Sequence, residues 1–374
     1  MTKWVAVAYG ALDVADDPPI PGAEVLVVPT VPAPLRSLFG HGAALWRRLA
    51  EDGPLDEADL EDSDIEILEE MADLGLASND VHHEARFGDL RQPWLTSALH
   101  ELVYALVTEV MRRADVEGIF IKGPVLHRQG LRTQPHSGDV DLWVAPGGQH
   151  RIAESLRAWG WDVIPFDFAE EMYHSMTLEP ADWGCEIDVH YRFPGIGVEP
   201  LDAFRALLSE RQYMTFAGVS CPVPSVEANA VIYALHCLRP DPKVTVTELS
   251  HVESQRALRL GGTGALALAE KWKSLPVLGP EFAQAVPGIV LPDYAPEAPE
   301  DWKRRRASSV AQYHIAVIRS LPWRRRPIAV WRVLWPSGRT AKLSASRQGH
   351  PEDNALVAHL RRLALGLKQL FARH

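Results

Sequence analysis

Two aspartates one residue apart, Asp139 and Asp141, sit in the stretch HSGDVDLWVAP, residues 136–146, which is otherwise mostly apolar or small. On a strand, side chains at i and i+2 leave the same face. Asp139 and Asp141 are therefore expected to project together while Val140 and Leu142 face a core. Two like charges so placed repel, and burial strips each of its hydration. A divalent cation resolves both costs. Carboxylates on such a strand can reach two ions held about 3.5 to 4 Å apart, an arrangement suited to displacement at phosphorus. The competing reading is a pair of solvated aspartates on an edge strand.

A second acidic strand weakens that competing reading. In EIDVH, Glu186, Asp188 and His190 share one face, with Ile187 and Val189 on the other. Asp188 is placed to complete a cage with the first pair. Hard oxygen ligands suit magnesium or manganese, whereas zinc would draw on His190, His82 or His83. His190 reads more naturally as a support for the carboxylates or the substrate than as a ligand.

The elements around these residues form a small mixed sheet. WLTSALHELVYALVTEVMRRADV carries Leu95, Leu99, Leu102, Leu106 and Val110 at helical spacing and delivers the chain to GIFIKGP, an apolar strand entering a turn. GGQHRIAESLRAWGW follows the DVD strand as a helix, and CEIDVHYRF is the next strand. SVEANAVIYALHCLRP and LGGTGALALAEKWKSL read as helices, with GGTG as a cap or turn. Val286 to Pro299 is Pro-rich and reads as a linker or edge loop.

The first eighty residues look like a unit of their own. WVAVAY and AEVLVV are short strands, HGAALWRRLAEDG a helix ending at Gly53, and DSDIEILEEMADLGL a helix with Asp62 or Ser63 at its cap and Gly75 just past its end. Strands followed by small helices suggest a winged-helix-like module. The expected fold class is thus α+β, with an N-terminal module over residues 1–80, a mixed-sheet core over 90–215 and a helical region with a basic tail over 216–374.

Composition sets bounds on the class. The chain has 374 residues, 47% hydrophobic and 23% charged, ordinary for a globular protein of two or three domains. The start lacks a basic stretch followed by an apolar one, and no segment approaches the roughly 20 apolar residues that span a bilayer. No membrane span and a cytoplasmic location are expected. Cys185, Cys221 and Cys237 are too few and scattered for a disulfide framework and read as buried thiols. The net charge of -11 hides an acidic run over residues 51–80 and a basic end from Trp302 onward. That end could hold phosphates, acidic peptide or anionic lipid, or pair with the acidic region. It offers no stacking platform, so nucleic acid is not an expected partner. The last helix, NALVAHLRRLALGLKQLFAR, is expected to dock on its own protein rather than lie on a membrane.

Two resemblances follow from these stretches. IKGPVLHRQGLRTQPHSGDVDLWV, LRAWGWDV and EIDVHYRF resemble the uncharacterised nucleotidyltransferase family of the DNA polymerase beta superfamily, over residues 93–275. The resemblance implies that Asp139, Asp141 and Asp188 bind magnesium or manganese. It also implies that Lys122 and Gly123 form the nucleotide-side turn, with Arg132 and Ser137 near the phosphates and His190 beside them. The superfamily's turn is Gly followed by Gly or Ser; here Pro124 follows Gly123 and has no amide hydrogen, so Lys122 would replace that phosphate contact as a point charge. VLVVPT, GAALWRRLAEDGPL and DIEILEEMADLGL resemble the PqqD-like family, the leader-peptide recognition element of enzymes that modify ribosomally made peptides. It departs from that family in a short segment between Pro54 and Ser63, where a middle helix belongs.

Together the two imply an enzyme that transfers a nucleoside monophosphate from a nucleoside triphosphate, ATP for preference, to a ribosomal peptide held by the N-terminal module. A standalone nucleotidyltransferase acting on a small molecule or a protein, a peptide kinase, and a non-catalytic leader-binding scaffold remain as alternatives.

Overall fold

The structure is a computed structural model that describes residues 2–135, 138–165, 173–241, 245–307, 309–347, 349–350 and 352–371. It divides into two compact units. Met1–Asp162, Thr177–Tyr191 and Phe204–Ser225 form the first; Val163–Met176, Arg192–Ala203 and Val226–His374 form the second.

The first unit opens with β1 (Lys3–Ala6), β2 (Ala11–Asp13), β3 (Val25–Val27), β4 (Arg36–Leu38), α1 (Gly40–Glu51), β5 (Leu55–Asp56), α2 (Asp62–Asp73) and β6 (Ala77–Ser78). β2, β3 and β4 make one antiparallel sheet, and β1 lies between β5 and β6 in another. α1 turns Ala43, Leu45, Trp46 and Leu49 inward, where they meet Trp4, Val25, Val27, Leu68 and Met71. Trp46 donates its indole N–H to the Leu76 carbonyl at 2.9 Å. Arg47 forks onto Asp13 at 2.7 Å and reaches Glu24 at 2.8 Å, tying α1 to the sheet.

One expectation for this stretch needs adjustment. The cap of α2 is Glu61, and neither it nor Asp62 or Ser63 supplies a side-chain cap bond. The segment between Pro54 and Ser63 holds a single 3-10 turn, Glu57–Asp59, started by the Asp56 carboxylate accepting from the Ala58 N–H. This matches the short segment read from the sequence, where a middle helix was not expected to fit.

The strands do not stop at residue 80. Ala8 donates to the Ala85 carbonyl, Phe87 to Ala6 and Asp13 to Arg91, so residues 85–91 run beside the N-terminal strands. Gly10 then brings the backbone onto the central helix. At φ +138°, a Cβ there would lie 2.5 Å from Ala105 Cβ.

That central helix is α3 (Ala98–Arg113). Ser97 caps it by accepting from the His100 N–H, which ends the helix short of Leu95 despite the apolar spacing. Leu102 through Val107 are all buried, so this helix is surrounded rather than amphipathic. Its Glu101, 1% exposed, accepts from the backbone N–H groups of Trp94, Leu95 and Ala217 at 2.9 to 3.1 Å. Burial pushes that carboxyl above its usual range, against the pull of those three donors.

Beside α3 lies a five-stranded sheet in the order β7-β8-β11-β10-β9: β7 (Gly118–Phe120), β8 (Val140–Val144), β9 (Trp161–Val163), β10 (Ser175–Pro180) and β11 (Ile187–His190). α4 (Gly123–Arg128) follows β7, and α5 (Gly148–Arg157) follows β8. β7 runs antiparallel to β8, and β11 parallel to it. α6 (Pro200–Ser209) leads to the hairpin β12 (Gln212–Phe216) and β13 (Val219–Val223), whose Phe216 stacks on Tyr104 of α3 with ring centroids 4.2 Å apart.

The second unit is mainly helical, with α7 (Val226–Leu238), α8 (Glu248–Lys271), α9 (Leu275–Ala285), α10 (Glu300–Arg305), α11 (Val310–Ser320), α12 (Arg326–Leu334), α13 (Gly338–Arg347) and α14 (Ala355–Phe371). The GGTG stretch lies inside α8, not at its end. The turn expected there survives as a kink, with Gly262 at φ 55° and ψ -141°. Residues 289–299 carry neither helix nor strand, in keeping with a loop. No described helix is long and apolar enough to cross a membrane.

Candidate active site

β8 and β11 pair in register, with Asp141 opposite Asp188. Residues opposite one another in a parallel pair share a face, so the two carboxylates stand side by side about one strand spacing, roughly 4.8 Å, apart. Val140, Leu142, Ile187 and Val189 are fully buried, and so are Asp141 and His190, because both faces of these strands are covered. Asp139 sits one residue ahead of β8, half-buried. Its carbonyl meets His100 Nε2 at 3.2 Å.

Lys122 closes the group. Its Nζ lies 2.5 Å from Asp141 Oδ1, and the two side chains are only 9% and 5% exposed. His190 Nε2 meets the same oxygen at 2.8 Å. Burial alone would push the Asp141 carboxyl up, but the Lys122 ammonium and the His190 hydrogen bond outweigh it and hold the group well below the usual carboxylate range. With Asp141 ionised, the proton on the 2.8 Å contact belongs to His190, whose own pKa is lowered by burial. A neutral His190 thus donates from Nε2.

Asp139 behaves in the opposite way. Burial, then the neighbouring Asp141 charge, pushes its carboxyl up to about 6; Lys122 opposes that shift and Asp188 adds to it. On the far side Thr177 of β10 donates its hydroxyl to Asp188 Oδ1 at 2.5 Å. Three carboxylates face one ammonium and one neutral imidazole, leaving the group short of positive charge.

Ligand atoms of Asp141, Asp188 and His190 all lie within 4.8 Å of one another, and among the described residues no other cluster of His, Cys, Asp and Glu comes so close. A hard cation bound through oxygen fits this set. A zinc site does not: the one imidazole present already donates to Asp141 through Nε2, and His82 and His83 are not in the cluster. Magnesium or manganese would be held by Asp141 and Asp188; Asp139, expected as a third ligand, is not part of this close group.

Of the remaining expected residues, Gly123 and Arg132 lie in and around the turn at Lys122. Lys122 is the N-cap of α4 at φ 58° and ψ -131°, followed by Gly123 at φ 53°. Arg132 donates from Nη2 to the Gly123 carbonyl at 3.0 Å and from Nε to the Gln134 carbonyl at 2.9 Å, so it laces the turn together. Ser137 lies outside the described residues. Thr177 and His100 were not identified from the sequence, because their relation to Asp188 and Asp139 depends on which strand and helix lie alongside.

Two further expectations concern the cysteines and the basic end. All three cysteines are free thiols, but only Cys221 is fully buried; Cys185 and Cys237 are half-buried. In the second unit, Arg304 and Arg305 of the basic end line a cavity with His174, Arg192, Asp301 and Tyr313. There the two ring nitrogens of His174 meet Arg239 Nη1 at 2.8 Å and Arg305 Nη2 at 3.1 Å.

No family model and no curated protein matches the chain. Among solved structures it is similar to the solution structure of the antibiotic-resistance factor ANT(2'')-Ia, at 11% identity and a TM-score of 0.33, over 47% of this chain and 91% of that one. The crystal structure of ANT(2'')-Ia in complex with adenylyl-2''-tobramycin gives 14% identity and a TM-score of 0.34, over 46% and 97%. The lincosamide antibiotic adenylyltransferase LnuA, lincomycin-bound, gives 15% and 0.28, over 42% and 94%. Likenesses of this size argue for neither a shared fold nor a shared activity, and the functional conclusion stands on the site's own geometry.

Proposed function

We propose that the chain is a divalent-cation-dependent nucleotidyltransferase. The observation that carries this reading is the in-register pairing of Asp141 with Asp188 on adjacent parallel strands, with Asp139 at the strand entrance. In the transfer, an acceptor hydroxyl oxygen bonds to the alpha phosphorus of a nucleoside triphosphate. The bond from that phosphorus to the bridging oxygen breaks, pyrophosphate leaves, and the hydroxyl proton passes to a carboxylate of the site. A magnesium or manganese ion, when bound, lowers the pKa of the acceptor hydroxyl and offsets charge on the phosphates.

The chain's own residues do the positioning. Asp141 is locked by Lys122 and His190, and Asp188 by Thr177, so neither carboxylate has rotamers to search. Arg132 holds the turn that presents Lys122. ATP is the donor we favour, and a ribosomally made peptide the acceptor. In support of the peptide, β4 is the outer strand of its sheet, and Phe39, the next residue, is 50% exposed. An extended peptide can add to such an edge.

Incubating the protein with ATP, magnesium and a peptide encoded beside its gene, then weighing the products, tests this. A mass increment equal to AMP is expected. A phosphate-sized increment would make the chain a kinase. No increment with any triphosphate or acceptor would leave a non-catalytic scaffold.

A further inference from the structure

Lys122 stands where a nucleotide-contacting residue was expected, yet its ammonium points into the carboxylate cage. The Nζ lies 2.5 Å from Asp141 Oδ1, with both side chains almost fully enclosed. The backbone is bent to deliver it. Lys122 has φ 58° and ψ -131°, a region that disfavours any residue with a Cβ. Just before it, the Ile121 N–H donates to the Asp141 carbonyl at 2.9 Å, which fixes the turn against the very residue the ammonium reaches.

Asp141 Oδ1 therefore already has two donors, Lys122 Nζ and His190 Nε2. A two-ion centre needs carboxylates that can bridge ions about 3.5 to 4 Å apart. Asp141 has only Oδ2 left for that work. An ammonium 2.5 Å from a carboxylate oxygen is close to where a divalent ion would sit, since magnesium binds oxygen at about 2.0 to 2.1 Å. Two positive centres cannot share that side of Asp141.

We propose that Lys122 is a built-in cation that occupies one of the two positive positions of the centre, so that the site takes a single divalent ion. The inference rests on the cation reading given under Proposed function. Lys122 is then a site residue acting through Asp141, and the lone ion would be held by Asp188 and the second oxygen of Asp141.

The test is a count. Manganese is titrated into the full-length chain with a non-hydrolysable ATP analogue, and bound ions are counted by electron paramagnetic resonance. One manganese per chain is expected, without the signal of a spin-coupled pair. In Lys122→Met a second manganese and the coupled-pair signal should appear, whereas Lys122→Arg, which keeps the charge, should stay at one. Two ions in the unaltered chain would overturn the proposal while leaving the cation site intact. No bound ion at all would overturn the cation reading itself. A folded Lys122→Met chain that still binds one ion would also overturn the proposal, and should that variant not fold, the count in the unaltered chain decides.

Discussion

Lys122 and Asp141 form a buried ion pair at 2.5 Å, reached from a turn whose backbone is strained at Lys122 itself. Asp188, in register with Asp141 on the next strand, is held by a hydroxyl instead of a cation. The two carboxylates thus share a face but not a charge environment, and each makes a different prediction.

Removing the charge of Asp141 takes away the nearest counter-charge of a buried ammonium. Asp141→Asn should destabilise the metal-free chain by about 3 to 5 kcal/mol, the usual cost of breaking one side of a buried pair. Urea unfolding in the presence of a chelator measures it. A loss of less than about 1 kcal/mol would mean that the pair is more solvated than its enclosure suggests.

Asp139 sets a pH dependence. Its carboxyl stands near 6 in the fold against 3.8 unperturbed, so between those values the folded chain binds more proton than the unfolded one. Stability of the metal-free protein contributed by this group is present below about pH 4 and declines as pH rises through about 6. Cation affinity moves the other way, because the carboxylate must lose its proton to bind. Calorimetric titration with magnesium should show affinity increasing from pH 5 to pH 7.5, and Asp139→Asn should flatten that increase.

Thr177 acts only through Asp188. Thr177→Val leaves the strand's shape while removing the hydroxyl 2.5 Å from Asp188 Oδ1. Manganese affinity should weaken by about tenfold, the lower end of what such supporting contacts contribute. Thr177→Ser should restore it; an unchanged affinity in the valine variant would show that Asp188 needs no such support.

Gly10 is fixed by its surroundings rather than by chemistry. A Cβ there meets Ala105 Cβ at 2.5 Å with φ at +138°. Gly10→Ala should destabilise the chain by about 2 to 4 kcal/mol through overpacking and backbone strain. Thermal unfolding reads this directly.

What the sequence made legible was periodicity. The pairing of Asp141 and Asp188 on one face, with Val140, Leu142, Ile187 and Val189 on the other, is what an alternation of two suggests; Asp139 lies one residue before the strand, where alternation does not apply. The contacts that complete the site came from neither spacing nor residue type. Thr177 meets Asp188 because β10 lies next to β11, and sheet order is a long-range property. The direction of the Lys122 side chain depends on a positive φ at a lysine, which no propensity anticipates. α3 began later than its apolar spacing suggested because Ser97 caps it, and the glycines of α8, read as a cap or turn, form a kink within one continuous helix. In these cases tertiary contacts decided what local pattern alone could not.

The most direct measurement of the central claim is magnesium-dependent binding of a non-hydrolysable ATP analogue to the full-length chain, compared with Asp139→Asn. The account predicts binding with magnesium that weakens by at least about tenfold on chelation and by a similar factor in the variant. Binding of equal strength in chelator, or in Asp139→Asn with magnesium present, would contradict it.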